Sequence, residues 1–215
     1  FKGTYYSSRG PLNCAPSPQG RPAFVQAGGS PRGREFAAMT ADSIIAPSMG
    51  VAGLKAYRDD VRARAVAGGR DPDEIKVLFV VAPILGETEE EAKAKAARII
   101  DAPDYYEKTL ALVAAITDID FSTFDLDAPL PHLTTNGEQG SLDAFQQSGS
   151  GKTLRQLCAD QLSRGLDGLV GTPDQVAERM GEVMAEVGGD GFLITRPFTT
   201  NISRQYINEI CEGLV

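Results

Sequence analysis

The 215-residue sequence predicts an α/β protein with a parallel sheet, on three observations. Four short apolar runs, near residues 23–26, 43–46, 75–82 and 191–195, have the length and composition of strands. Helical stretches separate them, and parallel strands joined by helices demand right-handed crossovers. The first run leads at once into Gly28-Gly29-Ser30-Pro31, a turn that opens a helix. Either an open doubly wound sheet or part of a (β/α)8 barrel satisfies this order. Four units cannot close an eight-stranded barrel, which typically takes roughly 250 residues. A barrel reading therefore makes residues 1–215 a single partial barrel domain.

Each element has its own justification. Residues 1–20 carry Gly3, Gly10, Pro11, Asn13, Pro16, Pro18 and Gly20, a density of chain breakers that excludes a long helix and predicts an extended approach to the first strand. After the Gly28–Ser30 turn a short helix runs to about Ala41, with Phe36 and Met39 spaced to face a core. Ser43-Ile44-Ile45-Ala46 is the second strand, closed by Pro47. Val51, Leu54, Tyr57, Val61 and Ala65 recur at helical spacing with charged residues between them, and Gly68-Gly69 ends that helix. The run from Ile75 to Val81 is rich in β-branched residues and almost continuously apolar, so burial on both faces is expected. Thr88 with Glu91 forms a capping box for a helix through Ala92, Ala96 and Ile99, and a further helix runs from about Tyr105 to Ile116.

Residues 118–152 break the pattern with a high density of Asp, Pro and Gly, and read as a long insertion before the last strand, a segment of the kind that serves as a lid. Thr153 opens a short helix to about Arg164. Thr172-Pro173 with Gln175 opens another, whose buried stripe is Val176, Met180, Val183, Met184 and Val187. Asn201 caps a last helix with Ile207 and Ile210 inside.

Composition narrows the function classes. A hydrophobic content of 42% supports a sizeable core, and a net charge of −8 leaves no basic patch able to neutralise phosphates in number. Neither nucleic acid nor a membrane surface is an expected partner. Cys14, Cys158 and Cys211 are odd in number and far apart, which fits a reducing compartment and neither a disulfide framework nor a zinc site. With no signal peptide and no apolar run long enough to span a bilayer, the cytoplasm is the expected location. His132, the only histidine, falls in the Pro-rich insertion and reads as an exposed loop residue. The acidic residues from Asp118 to Asp127 lack the Gly and terminal Glu of a calcium-binding EF-hand loop.

Most of the chemical content lies in Gln26-Ala27-Gly28-Gly29-Ser30. Gly28 and Gly29 remove the Cβ atoms that would hold an anion at a distance, and Ser30 is a favoured N-cap. Free N–H groups and the positive end of the helix dipole would face whatever sits above the turn, with Arg32 and Arg34 close by. Any tight strand-to-helix turn wants the same residues, so at this point a phosphate cradle and a plain turn both stand. Gly149-Ser150-Gly151-Lys152-Thr153 imitates a P-loop, but the position five before Gly151 is Gln146 and no buried strand precedes it.

The ordered set Phe1-Lys2-Gly3, Arg9-Gly10-Pro11-Leu12-Asn13, Pro18-Gln19-Gly20-Arg21-Pro22, Gln26-Ala27-Gly28-Gly29-Ser30 with Gly33 and Phe36-Ala37-Ala38 resembles the second half of the nitrilotriacetate and dibenzothiophene-sulfone monooxygenases, within the bacterial luciferase-like flavin monooxygenases. Gly69-Arg70-Asp71-Pro72, Gly86-Glu87-Thr88, Val170-Gly171-Thr172-Pro173 and Gly191-Phe192 follow in the right order. The resemblance implies the C-terminal half of a TIM-type (β/α)8 barrel, strands five to eight, with the insertion before the last strand. It also implies FMN at the C-terminal mouth, with Gly28, Gly29 and the Ser30 hydroxyl meeting the phosphate and Gln26 and Ala27 lining the flavin pocket. FMN would arrive reduced from a separate flavin reductase, and O2 would be used to oxygenate a small organic substrate. The family's first four strands, with the His, Asn and Tyr residues that contact its flavin, have no counterpart here. Open strand edges would then need the missing half or a second copy, which makes a homo-oligomer an expectation.

Two other classes compete. A phosphate-binding barrel enzyme acting on a phosphorylated metabolite needs a Lys, His or carboxylate at a strand end, whereas the ends here are Gln26, Ala46, Ala82 and Thr195. A non-catalytic half-barrel that exists by association is the third.

Overall fold

In the computed structural model, which describes residues 1–10, 13–46, 50–147, 151–162, 166–197 and 203–214, the chain begins as expected, with β1 (Val25–Ala27), α1 (Pro31–Thr40), β2 (Ser43–Ala46), α2 (Gly50–Ala67) and β3 (Lys76–Val81). It continues through β4 (Ile84–Leu85), α3 (Glu89–Ile100), α4 (Tyr105–Thr117), α5 (Gln139–Gln147) and α6 (Leu154–Asp160). It closes with β5 (Val170–Gly171), α7 (Pro173–Val187), β6 (Gly191–Ile194) and α8 (Arg204–Leu214). Pro47, Arg164 and Asn201, expected at the ends of elements, lie outside the described residues.

The main sheet is parallel throughout and has the order β1-β2-β3-β6. Strand order therefore rises monotonically, with no reversal of the kind that defines a doubly wound sheet. Helices α1, α2, α7 and α8 stand beside one another in that same order. Strand register explains which side they cover. Gln26, Ile44, Val77 and, one step on, Ala46, Phe79 and Phe192 share one face. Ile44, Ala46, Val77, Phe79 and Val81 are fully buried there against the helices, together with Leu54, Tyr57, Val61, Val176 and Val183. The opposite face carries Val25, Ala27, Ile45, Leu78, Val80 and Leu193, of which Val25 is 58% and Leu193 39% exposed. β3 is thus buried on one face and half-buried on the other, which corrects the expectation of two buried faces. Leu78 and Val80, on that second side, are only partly buried.

Two helix faces also differ from expectation. Phe36 and Met39 are 57% and 50% exposed, and the residues α1 buries are Ala37 and Ala38. Small side chains let α1 approach β1 and α2 closely, so its larger ones turn outward. In α8 Ile207 is 48% exposed, because the helix seats Tyr206, Ile210 and Leu214, spaced one turn apart, on the core.

The segment at 118–152 is not a bare loop. Phe121 from a short 3-10 turn and Leu142 and Phe145 from α5 join Tyr105, Val113, Leu154, Leu157 and Cys158 in a second apolar cluster. Arg155 clamps Asp127 with two hydrogen bonds of 2.7 and 3.0 Å, and Gln146 brackets the backbone of Leu133 from both sides. Together with the β4–β5 pair, which the sequence reading did not anticipate, the interruption between β3 and α7 covers Ile84–Gly171. Two-residue strands carry too few positions for a period to be seen.

Candidate functional site

At the C-terminal end of β1 the chain turns through Gly28 and Gly29 into α1. Ser30 is the N-cap, with extended backbone and with its Oγ accepting from the Gly33 N–H at 3.1 Å, and Pro31 starts the helix. A Cβ at Gly28 would rest 3.4 Å from the Gly33 Cα, and one at Gly33 would crowd the Ser30 Oγ at 3.2 Å. Gly28 thus packs at ordinary contact distance against the first turn of α1, where helix and strand end meet.

What sets this turn apart is the direction of its carbonyls. The Tyr57 hydroxyl, from α2, donates to the Gly28 oxygen at 2.6 Å, and Arg34 Nε, from α1, donates to the Gly29 oxygen at 2.8 Å. The Arg34 guanidinium lies 5.0 Å over the Tyr57 ring and reaches Asp60 Oδ2 at 2.9 Å. Asp60 is held in turn by Arg64 at 2.9 Å. Burial pushes the Tyr57 phenol far above its usual range, so it remains a neutral donor. In a trans peptide the N–H points opposite the preceding carbonyl. With both carbonyls drawn toward Tyr57 and Arg34, the Gly29 and Ser30 N–H groups face the other way. Among the described residues neither has a hydrogen-bond partner in the chain. The Ser30 hydroxyl uses a lone pair for Gly33 and keeps its proton to donate. Two N–H groups and one hydroxyl at the positive end of a ten-residue helix suit one anion.

The structure divides the expected site residues. Gly29 and Ser30 supply the outward donors. Ala27 is exposed on the open face of the sheet, whereas Gln26 belongs to the helix-covered face, its amide donating to the Ala27 carbonyl at 2.9 Å. Arg34 is a brace turned inward, and Arg32 is exposed. Tyr57 was legible only as one member of a buried helical stripe. A phenol among Leu, Val and Ala is the signal that could have marked it, since a buried hydroxyl needs a partner.

The remaining candidates are quiet. His132 is exposed, and Gly149 and Ser150 of the P-loop look-alike lie outside the described residues. Cys14 and Cys211 are exposed, while burial pushes the Cys158 thiol up to about 12. Among the described residues no group of His, Cys, Asp or Glu could hold a metal ion, and no helix is long and apolar enough to cross a membrane.

A singly wound parallel sheet with helices on one side and an anion-ready turn beyond a strand's C-terminal end defines a (β/α)-barrel type of protein. Residues 1–191 match the luciferase-like monooxygenase family, and the chain belongs to it. It is 34% identical over 221 residues to nitrilotriacetate monooxygenase component A of Aminobacter aminovorans, covering 99% of this chain and 48% of that protein. A pristinamycin IIA synthase polypeptide from Streptomyces pristinaespiralis is 32% identical, with 99% and 50% covered. Among solved structures, a riboflavin lyase with modified FMN and riboflavin superposes with a TM-score of 0.81 at 30% identity, over 100% of this chain and 46% of that one. The DmoA protein of Hyphomicrobium sulfonivorans gives 0.74 at 29%, over 99% and 44%. The chain thus spans about half the length of the relatives it matches, and its α/β fold is about half of their barrel.

Proposed function

We propose that this chain is the C-terminal half of an FMN-dependent monooxygenase of the two-component kind, and that the Gly29–Ser30 turn grips the phosphate of the flavin. The observation that carries the reading is the pair of N–H groups at Gly29 and Ser30, unpartnered among the described residues and turned away from the carbonyls that Tyr57 and Arg34 hold. They fit a phosphate monoester, which offers several acceptor oxygens and a charge that the α1 dipole favours. FMN, reduced by a separate flavin reductase, would supply the electrons with which one atom of O2 enters a small organic substrate while the other leaves as water. The chain's own share is to hold the phosphate through the Gly29 and Ser30 N–H groups and the Ser30 hydroxyl. Ala27, Ile45 and Leu78 on the open face would form one wall of a water-poor chamber. The half-length match and the partly exposed second face support a barrel completed by four more strands, which would pair with the edges of β1 and β6. Those two edges also favour, as a second reading, self-association of a non-catalytic half-barrel. The barrel enzyme acting on a phosphorylated metabolite gains nothing, because β1, β2, β3 and β6 end without a Lys, His or carboxylate.

The test is a titration of the full gene product with FMN and with riboflavin, which lacks the phosphate. Ser30→Asp preserves an N-cap while setting a carboxylate where the phosphate would lie. Loss of a charge-assisted hydrogen bond, worth about 1.5–3 kcal/mol, predicts at least about a tenfold weaker FMN complex with riboflavin affinity unchanged. Equal FMN affinity in Ser30→Asp and wild type would remove the site.

A further inference from the structure

The helix α5 lies against the same turn. A Cβ built on Gly140 would sit 3.0 Å from the Ser30 nitrogen, 3.2 Å from the Gly29 carbonyl carbon and 3.4 Å from the Gly29 Cα. Those three atoms belong to one peptide unit, so Gly140 is stacked on the face of the Gly29–Ser30 peptide at a separation that real Cβ atoms rarely reach. Nothing on this contact is a flexible side-chain end; both partners are backbone. α5 is itself held from behind. Leu142 and Phe145 are buried in the second apolar cluster, the Glu138 N–H donates to the Ile116 carbonyl at 3.1 Å, and a Cβ at Gly137 would strike the Thr117 backbone at 2.8 Å. The N-terminal end of α5 is wedged between α4 and the turn, and has no room to retreat.

We propose that Gly140 is a positioning residue for the anion site, the joint through which the packed segment between β3 and α7 fixes the orientation of the Gly29–Ser30 peptide. The proposal rests on the phosphate reading above. Tyr57 and Arg34 hold the two carbonyls; Gly140 closes one face of the Gly29–Ser30 peptide. A side chain at position 140 tilts the peptide and swings both N–H groups off the phosphate, while the open face of the sheet is untouched. The segment expected to act as a lid is then a fixed wall of the cofactor site, and changes in it reach the phosphate through one glycine.

Gly140→Ala and Gly140→Val, made in the full gene product, test this beside Ser141→Ala, a neighbouring substitution on the same helix turn that adds no bulk. The readouts are Kd for FMN, Kd for riboflavin, and circular dichroism with a thermal melt. A graded loss of FMN affinity from Ala to Val, at least tenfold for Val, with riboflavin affinity and the spectrum unchanged and Ser141→Ala like wild type, is the expected result. A purely structural glycine would instead weaken both ligands in parallel, or lower the melting point with FMN preference intact, and either outcome overturns the proposal. If Gly140→Val unfolds the chain, Gly140→Ala must still lose FMN preference, or the proposal fails. Should Ser30→Asp abolish the preference for FMN while Gly140→Val keeps it, only the role of Gly140 falls; a wild type with no preference for FMN over riboflavin removes the phosphate reading and this inference together.

Discussion

The Tyr57 hydroxyl sits 2.6 Å from the Gly28 carbonyl, across 29 residues of sequence, and it ties the second helix to the end of the first strand. Without that donor the Gly28–Gly29 peptide has no reason to present its N–H outward. Tyr57→Phe keeps the ring beneath Arg34 and deletes only the hydroxyl. It is expected to lower stability by about 0.5–1.5 kcal/mol, the usual worth of one hydrogen bond, and to reduce the preference for FMN over riboflavin. Urea denaturation and the two flavin titrations measure the two effects, and an unchanged preference would show that the carbonyl brace does not govern the donors.

The main sheet was readable because each of its strands is an apolar run bounded by Gly, Pro or Ser, and the capped helices at Ser30, Thr88, Thr153 and Thr172 carry their start signals locally. At Thr88 even the departure is local, since the Glu91 carboxylate accepts from the Glu87 N–H in place of the cap's own. The segment at 118–152 was not readable for the opposite reason. Its order comes from Phe121, Leu142 and Phe145 meeting α4 and α6, contacts between residues far apart in sequence with no short period to announce them. The turn at Gly28–Ser30 was visible as a motif, yet Tyr57, Arg34 and Gly140, which contact it from three different helices, were not. Pattern marked the candidate turn; its surroundings come from packing.

Gly86 marks the point where β4 leaves its partner, donating its N–H to the Gly171 carbonyl at 3.2 Å. A Cβ there would lie 2.5 Å from the Ala92 nitrogen and 2.8 Å from the Thr88 oxygen. Both are backbone atoms of the α3 cap, so no rotamer change relieves the clash. Gly86→Ala is expected to destabilise the chain by at least about 1–3 kcal/mol, the range for overpacking. A urea midpoint within error of wild type would mean that α3 slides freely on β4.

Asp42 carries an acid-sensitive contribution to stability. Its carboxylate accepts two hydrogen bonds from Arg21, at 2.6 and 2.8 Å, and a third from the Phe24 N–H at 2.7 Å. The hydrogen-bonded Arg21 guanidinium, then the Phe24 amide, hold this carboxyl well below the usual carboxylate range. A folded pKa depressed below the unfolded one contributes stability that is present above the unfolded value, near pH ~3.9, and is lost as pH falls toward the folded value. Asp42→Asn should therefore be less stable than wild type at neutral pH, with the gap narrowing below about pH 4. Urea midpoints across that window provide the check, and a gap that stays constant into acid would rule out the charge on Asp42 as its source.

Leu142 tests whether the segment before the last strand is built as a wall. It is fully buried among Tyr105, Phe121 and Leu154. Truncation to Ala removes its contacts and leaves a cavity, at an expected cost of about 2–5 kcal/mol. Limited proteolysis should then cut first within 118–152, at sites that are protected in wild type. If the two chains are cut at the same rate there, the second cluster is not holding α5 in place.

The cysteines report on the same cluster without any substitution. Cys14 and Cys211 are exposed, whereas Cys158 is fully buried on α6, with its backbone carbonyl accepting from the Tyr105 hydroxyl at 2.8 Å. Burial raises the Cys158 thiol to about 12, so at pH ~8 almost none of it is thiolate, the form that reacts. The native chain should thus show two fast-reacting thiols toward a disulfide reagent, and the third only when denaturant opens the second cluster. On the proposed reading, flavin bound at the Gly29–Ser30 turn would brace α5 from the other side and slow the appearance of that third thiol further. Three equally fast thiols in the native chain would mean that α4, α5 and α6 do not pack as a closed unit, and the wall behind the turn would lose its support.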